Sequence, residues 1–216
     1  PPTMTGMPLL PDGSALIGRF VRLDPVVEAD LPALAEILVQ PAVYESGYVM
    51  RRRPASIEEA LASAREQYLD PPGFDGNGRG RLPYAVRLVE DPALGAAGTV
   101  VGTTTLGEAS VAHERLHLGW TMYDPRVWGT AVNPETKYLL LRYCFEDLGY
   151  GRVKLQTDAL NARSAAAIAR LGATREGVLR RHTRRQDGTF RDTVVFSVTV
   201  DDWPRVRDGL LARLEP

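Results

Sequence analysis

The sequence has few of the side chains that form cross-links or bind metals. Its 216 residues include one cysteine, Cys144, and three histidines. One cysteine cannot form an internal disulfide, and with three scattered histidines it cannot build a Cys/His zinc site. We therefore expect no bound metal, a reduced cytoplasmic setting, and a packing role for Cys144 in the core.

Long apolar runs and an excess of one charge are also lacking. No stretch approaches the roughly 18 consecutive apolar residues that span a membrane, so we expect a soluble protein with no membrane partner. The 26 Lys and Arg side chains nearly balance 27 Asp and Glu, which argues against binding to DNA or RNA by bulk attraction. The length and the hydrophobic content of 44% fit one compact domain.

The N-terminal segment is treated separately from the fold. It has neither the basic start nor the apolar core of a signal peptide, and it begins with Pro1 rather than methionine. We set residues 1–12 apart as a tail that is disordered or left over from a vector. Residues 13–216 are assigned to a single domain.

Hydrophobic periodicity predicts alternating strands and helices. Asn133 can cap a helix with Pro134 at its first position, and that helix ends at Gly149. The pattern predicts an α/β domain with a mixed, mostly antiparallel sheet of six to seven strands flanked by helices. The predicted strands are 19–24, 82–89, 99–106, 116–122, 152–158, 174–180 and 193–200, and the predicted helices are 30–38, 56–69, 133–148, 162–171 and 201–213.

The loop after the fourth predicted strand has the composition of an anion site. Residues 126–131 read Arg-Val-Trp-Gly-Thr-Ala and stand directly before a helix. A glycine turn at a helix start leaves backbone N–H groups free, and the helix dipole adds about half a positive charge there. A pyrophosphate could be held by the main chain, although the pattern alone is weak and favours a plain strand-to-helix turn.

Three motifs, in this order of elements, make the sequence resemble the GNAT superfamily of acyl-CoA-dependent N-acyltransferases. They are the loop 126–131, the run Asn161 to Ser164 after the fifth strand, and residues 171–177 before the sixth. Within the superfamily the sequence is most similar to the RimJ/RimL-type branch, whose named members acetylate ribosomal-protein N-termini. The resemblance covers roughly residues 17–200 and implies that the fourth and fifth strands splay apart.

The resemblance implies acetyl-CoA as cosubstrate and a set of residues around it. The amides of residues 127–131 would cradle the pyrophosphate, and the pantetheine chain would run along the fourth strand in the gap. We also expect a variant loop geometry, because Ala131 replaces the more common glycine and Pro134 lacks an N–H. Lys137 could add charge near the phosphates, although a solvated helix residue fits it too. The candidate cofactor-binding residues are Met122, Tyr123, Arg126, Val127, Trp128, Gly129, Thr130, Ala131, Lys137 and Asn161.

His117 is the candidate proton acceptor, since it lies two residues before Gly119, where many relatives place a glutamate base. An unperturbed pKa near 6.5 suits histidine to this task. Strand alternation predicts His117, Gly119 and Thr121 on one face. A structural hydrogen bond is the alternative role for His117, and Glu108 is read as merely solvated.

Ser164 is the second catalytic candidate. It falls where a hydroxyl often serves the thiolate in relatives, and residues 165–171 contain no tyrosine that could act as the acid. A water molecule in place of Ser164, or no acid at all, remains open.

These features predict an N-acetyltransferase that moves an acetyl group from acetyl-CoA to a primary amine by direct attack in a ternary complex. At pH 7.4 an α-amine is roughly a quarter neutral and a lysine roughly 0.1%, so a modest base favours a peptide or protein N-terminus, an amino acid or another small amine. We expect residues 41–81 and 180–191 to face the acceptor. A homodimer is left open.

Two alternatives remain for the function. One is a non-catalytic CoA-binding protein. The other is an RNA- or ribosome-associated module that uses the Arg-rich segment 175–191, which also fits a charged hairpin edge.

Overall fold

An eight-stranded sheet forms the centre of the structure, a computed structural model that describes residues 6–45, 51–70, 73–75, 77–89, 91 and 93–215. The strand order is β1-β2-β3-β4-β5-β6-β8-β7. Among these strands, β5 and β6 are the parallel pair, and the other neighbours are antiparallel. The strands are β1 Leu16–Ile17, β2 Val21–Pro25, β3 Arg81–Leu88, β4 Val100–Ser110, β5 Arg115–Tyr123, β6 Arg152–Asp158, β7 Thr174–Arg184 and β8 Phe190–Thr199.

The predicted mixed α/β fold is confirmed, and the strand count is one higher than expected. The additional strand is β1, whose two residues are too few to show an alternating pattern. The short helix α2 was not predicted either. The helices are α1 Leu31–Leu38, α2 Pro41–Glu45, α3 Ile57–Tyr68, α4 Val132–Arg142, α5 Ala162–Arg170 and α6 Trp203–Ala212.

Two apolar layers cover the two faces of the sheet. Tyr84 and Val86 of β3 pack in the layer that holds α4 and α6, whereas Ala85 between them packs in the layer of α1 and α3. Cys144 is fully buried in the first layer, as expected for a packing role. Within the described residues, no helix has the length and apolar character needed to cross a bilayer.

The start of α4 differs from the prediction. The helix begins at Val132 with Ala131 as its N-cap, so Asn133 and Pro134 lie inside the first turn and Asn133 does not cap it. Thr130 supplies a hydroxyl instead, because its Oγ1 accepts a hydrogen bond from the Val132 amide at 3.3 Å. At the other end, α4 continues as a π-helical turn over Tyr143–Asp147 before the predicted stop at residue 149.

β5 contains a bulge that changes which face its side chains occupy. Thr105 pairs with Gly119 and Thr103 with Met122, so residue 104 opposes two residues, Trp120 and Thr121. Trp120 adopts a φ of 49°, in the left-handed region. The extra residue reverses the alternation, so the predicted placement of Thr121 beside His117 is wrong.

The predicted splaying of the fourth and fifth strands is confirmed between β5 and β6. Their parallel ladder contains three pairs and ends where His117 faces Lys154. Beyond this pair, β5 runs on for six residues to Tyr123 with one edge free of β6. A gap therefore opens in the sheet on the way to the loop at residues 124–131.

The described part of the predicted tail contacts the domain. The Leu9 amide donates to the Leu148 carbonyl at 2.9 Å. The Tyr143 hydroxyl donates to Asp12 Oδ1 at 2.8 Å. Residues 1–5 lie outside the described residues, and a domain boundary at residue 12 stays a prediction.

Glu135 ties the turn between β1 and β2 to the first turn of α4. Its carboxylate accepts hydrogen bonds from the amides of Arg19, Phe20 and Val21 at 2.8, 2.6 and 2.7 Å. A Cβ atom on Gly18 would lie 2.4 Å from the carboxyl carbon, so the close approach requires glycine there. One side chain thus satisfies three backbone donors.

Glu135→Ala should therefore lower the free energy of unfolding by about 2–4 kcal/mol, because it leaves three partly buried amides without an acceptor. Glu36→Ala removes an exposed carboxylate of α1 and serves as the control, with an expected loss within about 0.5 kcal/mol. Urea unfolding followed by circular dichroism measures both. Equal losses in the two variants would contradict the role given to Glu135.

Candidate active site

The loop between β5 and α4 begins with a tight turn that uses its own amides. The Asp124 carboxylate accepts from the Arg126 amide at 3.0 Å. The amides of Val127 and Trp128 donate to the carbonyls of residues 124 and 125, both at 3.1 Å. These two amides, which the resemblance assigned to the pyrophosphate, are therefore already engaged.

The next part of the loop carries open amides. Those of Gly129, Ala131 and Asn133 donate to no acceptor in the part of the chain that the structure describes. Gly129 has a φ of 78°, and no atom lies within 4 Å of the place where its Cβ would be. Free N–H groups at the start of an 11-residue helix fit a phosphate anion.

The backbone at Ala131 is ordinary. Its φ of −68° and ψ of −14° are helical, so no glycine is needed at this position. Thr130 lies between the open amides, and its hydroxyl donates to the Val127 carbonyl at 2.7 Å. Ala131 therefore fits the loop without strain, and the amides of residues 129, 131 and 133 remain open.

Trp128 joins the loop to the helix after β6. Its indole Nε1 donates to the Tyr123 carbonyl at 3.3 Å. The guanidinium carbon of Arg163, in α5, lies 3.4 Å from the centre of the indole ring. The Arg126 side chain is turned back, with Nε 3.1 Å from Asp124 Oδ2.

Met122 and Tyr123 lie on the part of β5 that faces the gap. Met122 is buried in the layer of α1 and α3. The Tyr123 hydroxyl is buried beside Thr136, and this burial raises its pKa. Both side chains are therefore turned into the protein, and the free backbone edge of β5 is what borders the gap.

Lys137 lies in the interior between α4 and the sheet. Its ammonium donates to the hydroxyls of Thr121 at 2.8 Å and Thr104 at 3.2 Å. Burial lowers its pKa to about 7. The side chain is not solvated, and its position gives no support to a contact with the phosphates.

Asn161 caps α5, as its place after a strand predicts. Its Oδ1 accepts from the Ser164 amide at 2.8 Å. Ser164 is half-buried in the first turn of this helix. The capping role is confirmed, whereas the contact of Asn161 with the cofactor and the catalytic role of Ser164 stay predictions.

His117 is held by a carboxylate that the sequence did not connect with it. Its Nδ1 lies 3.3 Å from Glu108 Oε1, and Lys154 binds the same carboxylate. The hydrogen bond with His117 is the largest cause that lowers the pKa of Glu108 to about 2. Glu108 is therefore paired rather than merely solvated.

The second ring nitrogen of His117 is buried and has no hydrogen-bond partner among the described residues. Burial lowers the pKa of His117, and Glu108 opposes this shift, so the ring is neutral at pH 7. A Cβ atom at Gly119 would lie 2.5 Å from Nε2. Trp120 covers the ring, with centroids 4.5 Å apart.

The Arg-rich segment 175–191 forms most of the β7–β8 hairpin at the sheet edge. Arg185 binds the buried Asp158 through two hydrogen bonds of 2.9 Å. The guanidinium of Arg181 lies 4.0 Å from the ring centre of Phe190. Part of the positive charge is thus used inside the protein, which favours the hairpin-edge interpretation over an RNA-binding module.

The family of the chain follows from comparison with known proteins. The family described as "Acetyltransferase (GNAT) domain" matches residues 21–174. The chain therefore belongs to the GNAT acetyltransferase family, as the resemblance implied.

Individual relatives support this placement. A crystal structure from T. thermophilus, assigned to an acetyltransferase, is 38% identical, covers 96% of this chain and 100% of that one, and has a TM-score of 0.79. Mycobacterium smegmatis RimJ, solved in complex with CoA-disulfide, is similar in fold with 22% identity, 92% coverage of both chains and a TM-score of 0.71. An FsC-acetyl coenzyme A-N(2)-transacetylase of Aspergillus fumigatus is 28% identical over 111 residues, which make up 51% of this chain and 47% of that protein.

Lys137 should make the free energy of unfolding increase with pH in the neutral to alkaline range. Its pKa is about 7 in the folded protein and about 10.4 in an unfolded chain. Between these values the unfolded chain binds more protons, so the free energy of unfolding rises with pH by up to about 1.4 kcal/mol per unit. Lys137→Met removes this contribution.

Urea unfolding of the parent and Lys137→Met at pH 7, 8, 9 and 10 measures the effect. We expect the unfolding free energy of the parent to increase relative to that of Lys137→Met as the pH rises. A difference that is constant over this range would show that the amine is not held neutral in the folded state.

Proposed function

We propose that the chain is an acetyl-CoA-dependent N-acetyltransferase that acts on a primary amine in a ternary complex. The observation that carries this proposal is the gap between β5 and β6. The three-pair ladder ends at His117, and the open amides at residues 129, 131 and 133 follow β5 at the other end. The edge of β5 along the gap thus runs from the position of His117 to the proposed anion site.

The residues present fit the cofactor that the family uses. The open amides of Gly129, Ala131 and Asn133 would hold the pyrophosphate, and the free edge of β5 at Met122 and Tyr123 would border the pantetheine chain. Acetyl-CoA supplies an acetyl group already activated as a thioester. RimJ, with a similar fold, was solved with a CoA derivative, which supports this assignment.

His117 is the proton acceptor in this proposal. Glu108 faces Nδ1 and fixes the proton there, which leaves Nε2 as the basic nitrogen. The low pKa of His117 keeps that nitrogen unprotonated at neutral pH. Because Gly119 and the half-buried Trp120 enclose Nε2, the indole shifts aside or one water relays the proton from the amine. Ser164 is the proposed donor to the departing thiolate.

The acceptor is an amine whose identity the family does not fix. The name of the Aspergillus fumigatus relative states acetyl transfer from acetyl coenzyme A to an N(2) position, which supports an amine acceptor. Incubation with acetyl-CoA and a mixed library of α-amines, amino acids and peptides, followed by mass spectrometry and by release of free thiol, tests the proposal. A CoA-binding protein without catalysis would bind acetyl-CoA yet release no more thiol than buffer.

Gly129→Glu should abolish the binding of CoA, because it places a carboxylate beside the open amides. Gly188→Glu is the matched control: its φ of 87° resembles the 78° of Gly129, and both positions have open space around a Cβ. Isothermal calorimetry with CoA compares the two variants. If Gly129→Glu binds CoA as tightly as Gly188→Glu, the pyrophosphate lies elsewhere.

His117→Ala should lower kcat by ~10²-fold at pH 7 through loss of the general base, with the affinity for CoA nearly unchanged. Glu108→Gln should lower kcat less and shift the acidic limb of the pH-rate profile. His113→Ala, which removes an exposed histidine, is the control with full activity. An unaltered pH-rate profile in His117→Ala would exclude His117 as the base.

A further inference from the structure

Apart from Thr103 Oγ1 on β4, three buried polar atoms on one face of the sheet have no hydrogen-bond partner in the described part of the chain. They are Nε2 of His117, Oε1 of Gln156 and Nε of Arg191. They lie on three different strands, β5, β6 and β8. Buried polar atoms in folded proteins are nearly always paired, so each one points to an absent partner.

The strand registers place these side chains on the same face. His117 faces Lys154 in the parallel ladder, and Gln156 is two residues further along β6. The β6–β8 ladder is uninterrupted and ends opposite Thr193, which is two residues from Arg191. Because side chains alternate along a strand, all of them share the side that carries His117.

The charge of Arg191 is not balanced within the protein. Asp158 is the carboxylate that attracts it, but Asp158 already makes a paired contact with Arg185. Arg185 repels Arg191, and burial lowers the pKa of the Arg191 guanidinium. The cluster therefore holds two guanidinium groups and one carboxylate, with a surplus of one positive charge in a partly buried place.

Arg191 is also electrostatically linked to the proposed base. Its positive charge is one of the causes that lower the pKa of His117. A group bound at Arg191 therefore lies within electrostatic range of the nitrogen that would accept a proton from the acceptor. The three atoms together indicate the groups that an acceptor would carry. Gln156 Oε1 and His117 Nε2 can accept hydrogen bonds from N–H groups, and Arg191 can bind an anion.

We propose that the acceptor is an amine that carries a carboxylate, and that Arg191 binds this carboxylate while the amine lies between Gln156 and His117. This inference rests on the proposed function and names the substrate class of the same site. The carboxylate belongs either to a free amino acid or to an acidic side chain near a peptide N-terminus. Both sources present the planar anion that a guanidinium recognises.

The test compares matched acceptors that differ in one anionic group. Glutamine is compared with glutamine amide, and the tripeptide Ser-Glu-Ala with Ser-Gln-Ala, each peptide with an amidated C-terminus. The parent should show a kcat/KM ratio of at least ~10 in favour of the carboxylate in one of the two pairs, mainly through KM, as expected for a charged hydrogen bond. The responding pair identifies the source of the carboxylate.

Arg191→Gln should reduce this ratio to about one, and Arg191→Lys should keep part of it because the charge remains. Arg175→Gln removes an exposed arginine of β7 and should keep the parent ratio. Thermal unfolding by circular dichroism confirms that each variant is folded. A parent enzyme without preference in either pair, or an unchanged ratio in folded Arg191→Gln, would overturn the inference.

A binding measurement separates this inference from the proposed function. The melting temperature is recorded with CoA present, with each acceptor added at 10 mM. The carboxylate-bearing acceptor should raise it in the parent and not in Arg191→Gln. If the acceptor raises the melting temperature but acetyl-CoA releases no thiol with any amine, the binding site stands and the proposed catalysis fails. If amines are acetylated but no carboxylate-bearing acceptor raises the melting temperature, the catalysis stands and the binding site fails.

Discussion

The short contact between β5 and β6 is the constraint on which the rest of the structure depends. Within the sheet, three residue pairs join the strands β1–β5 to the strands β6–β8. A longer ladder would close the sheet and leave no entrance. Because the ladder stops at His117, the remaining edge of β5 and the start of α4 are available to a ligand.

The bulge at Trp120 divides the polar groups of β5 between two environments. On one face, His117 lies beneath Trp120 with Glu108 behind it. On the other, Thr121 meets the buried Lys137. Burial lowers the pKa of both basic groups, and that of Lys137 falls to about 7.

Local signals in the sequence predict local features well, because their physics involves a few neighbouring residues. The cap at Asn161 and the glycine turn at residue 129 are examples. The face of Thr121 could not be predicted, since it depends on one residue of β4 opposing two of β5. Glu108 meets His117 only through the pairing of their strands, and no spacing in the sequence indicates the inward direction of Lys137.

Glu135 also constrains the order in which the protein can assemble. Its three amide partners are 114 to 116 residues earlier in the chain. At synthesis rates of about 5–20 residues per second, those amides leave the ribosome on the order of ten seconds before their acceptor. The turn at residues 19–21 can therefore reach its final place only after the first turn of α4 has been made.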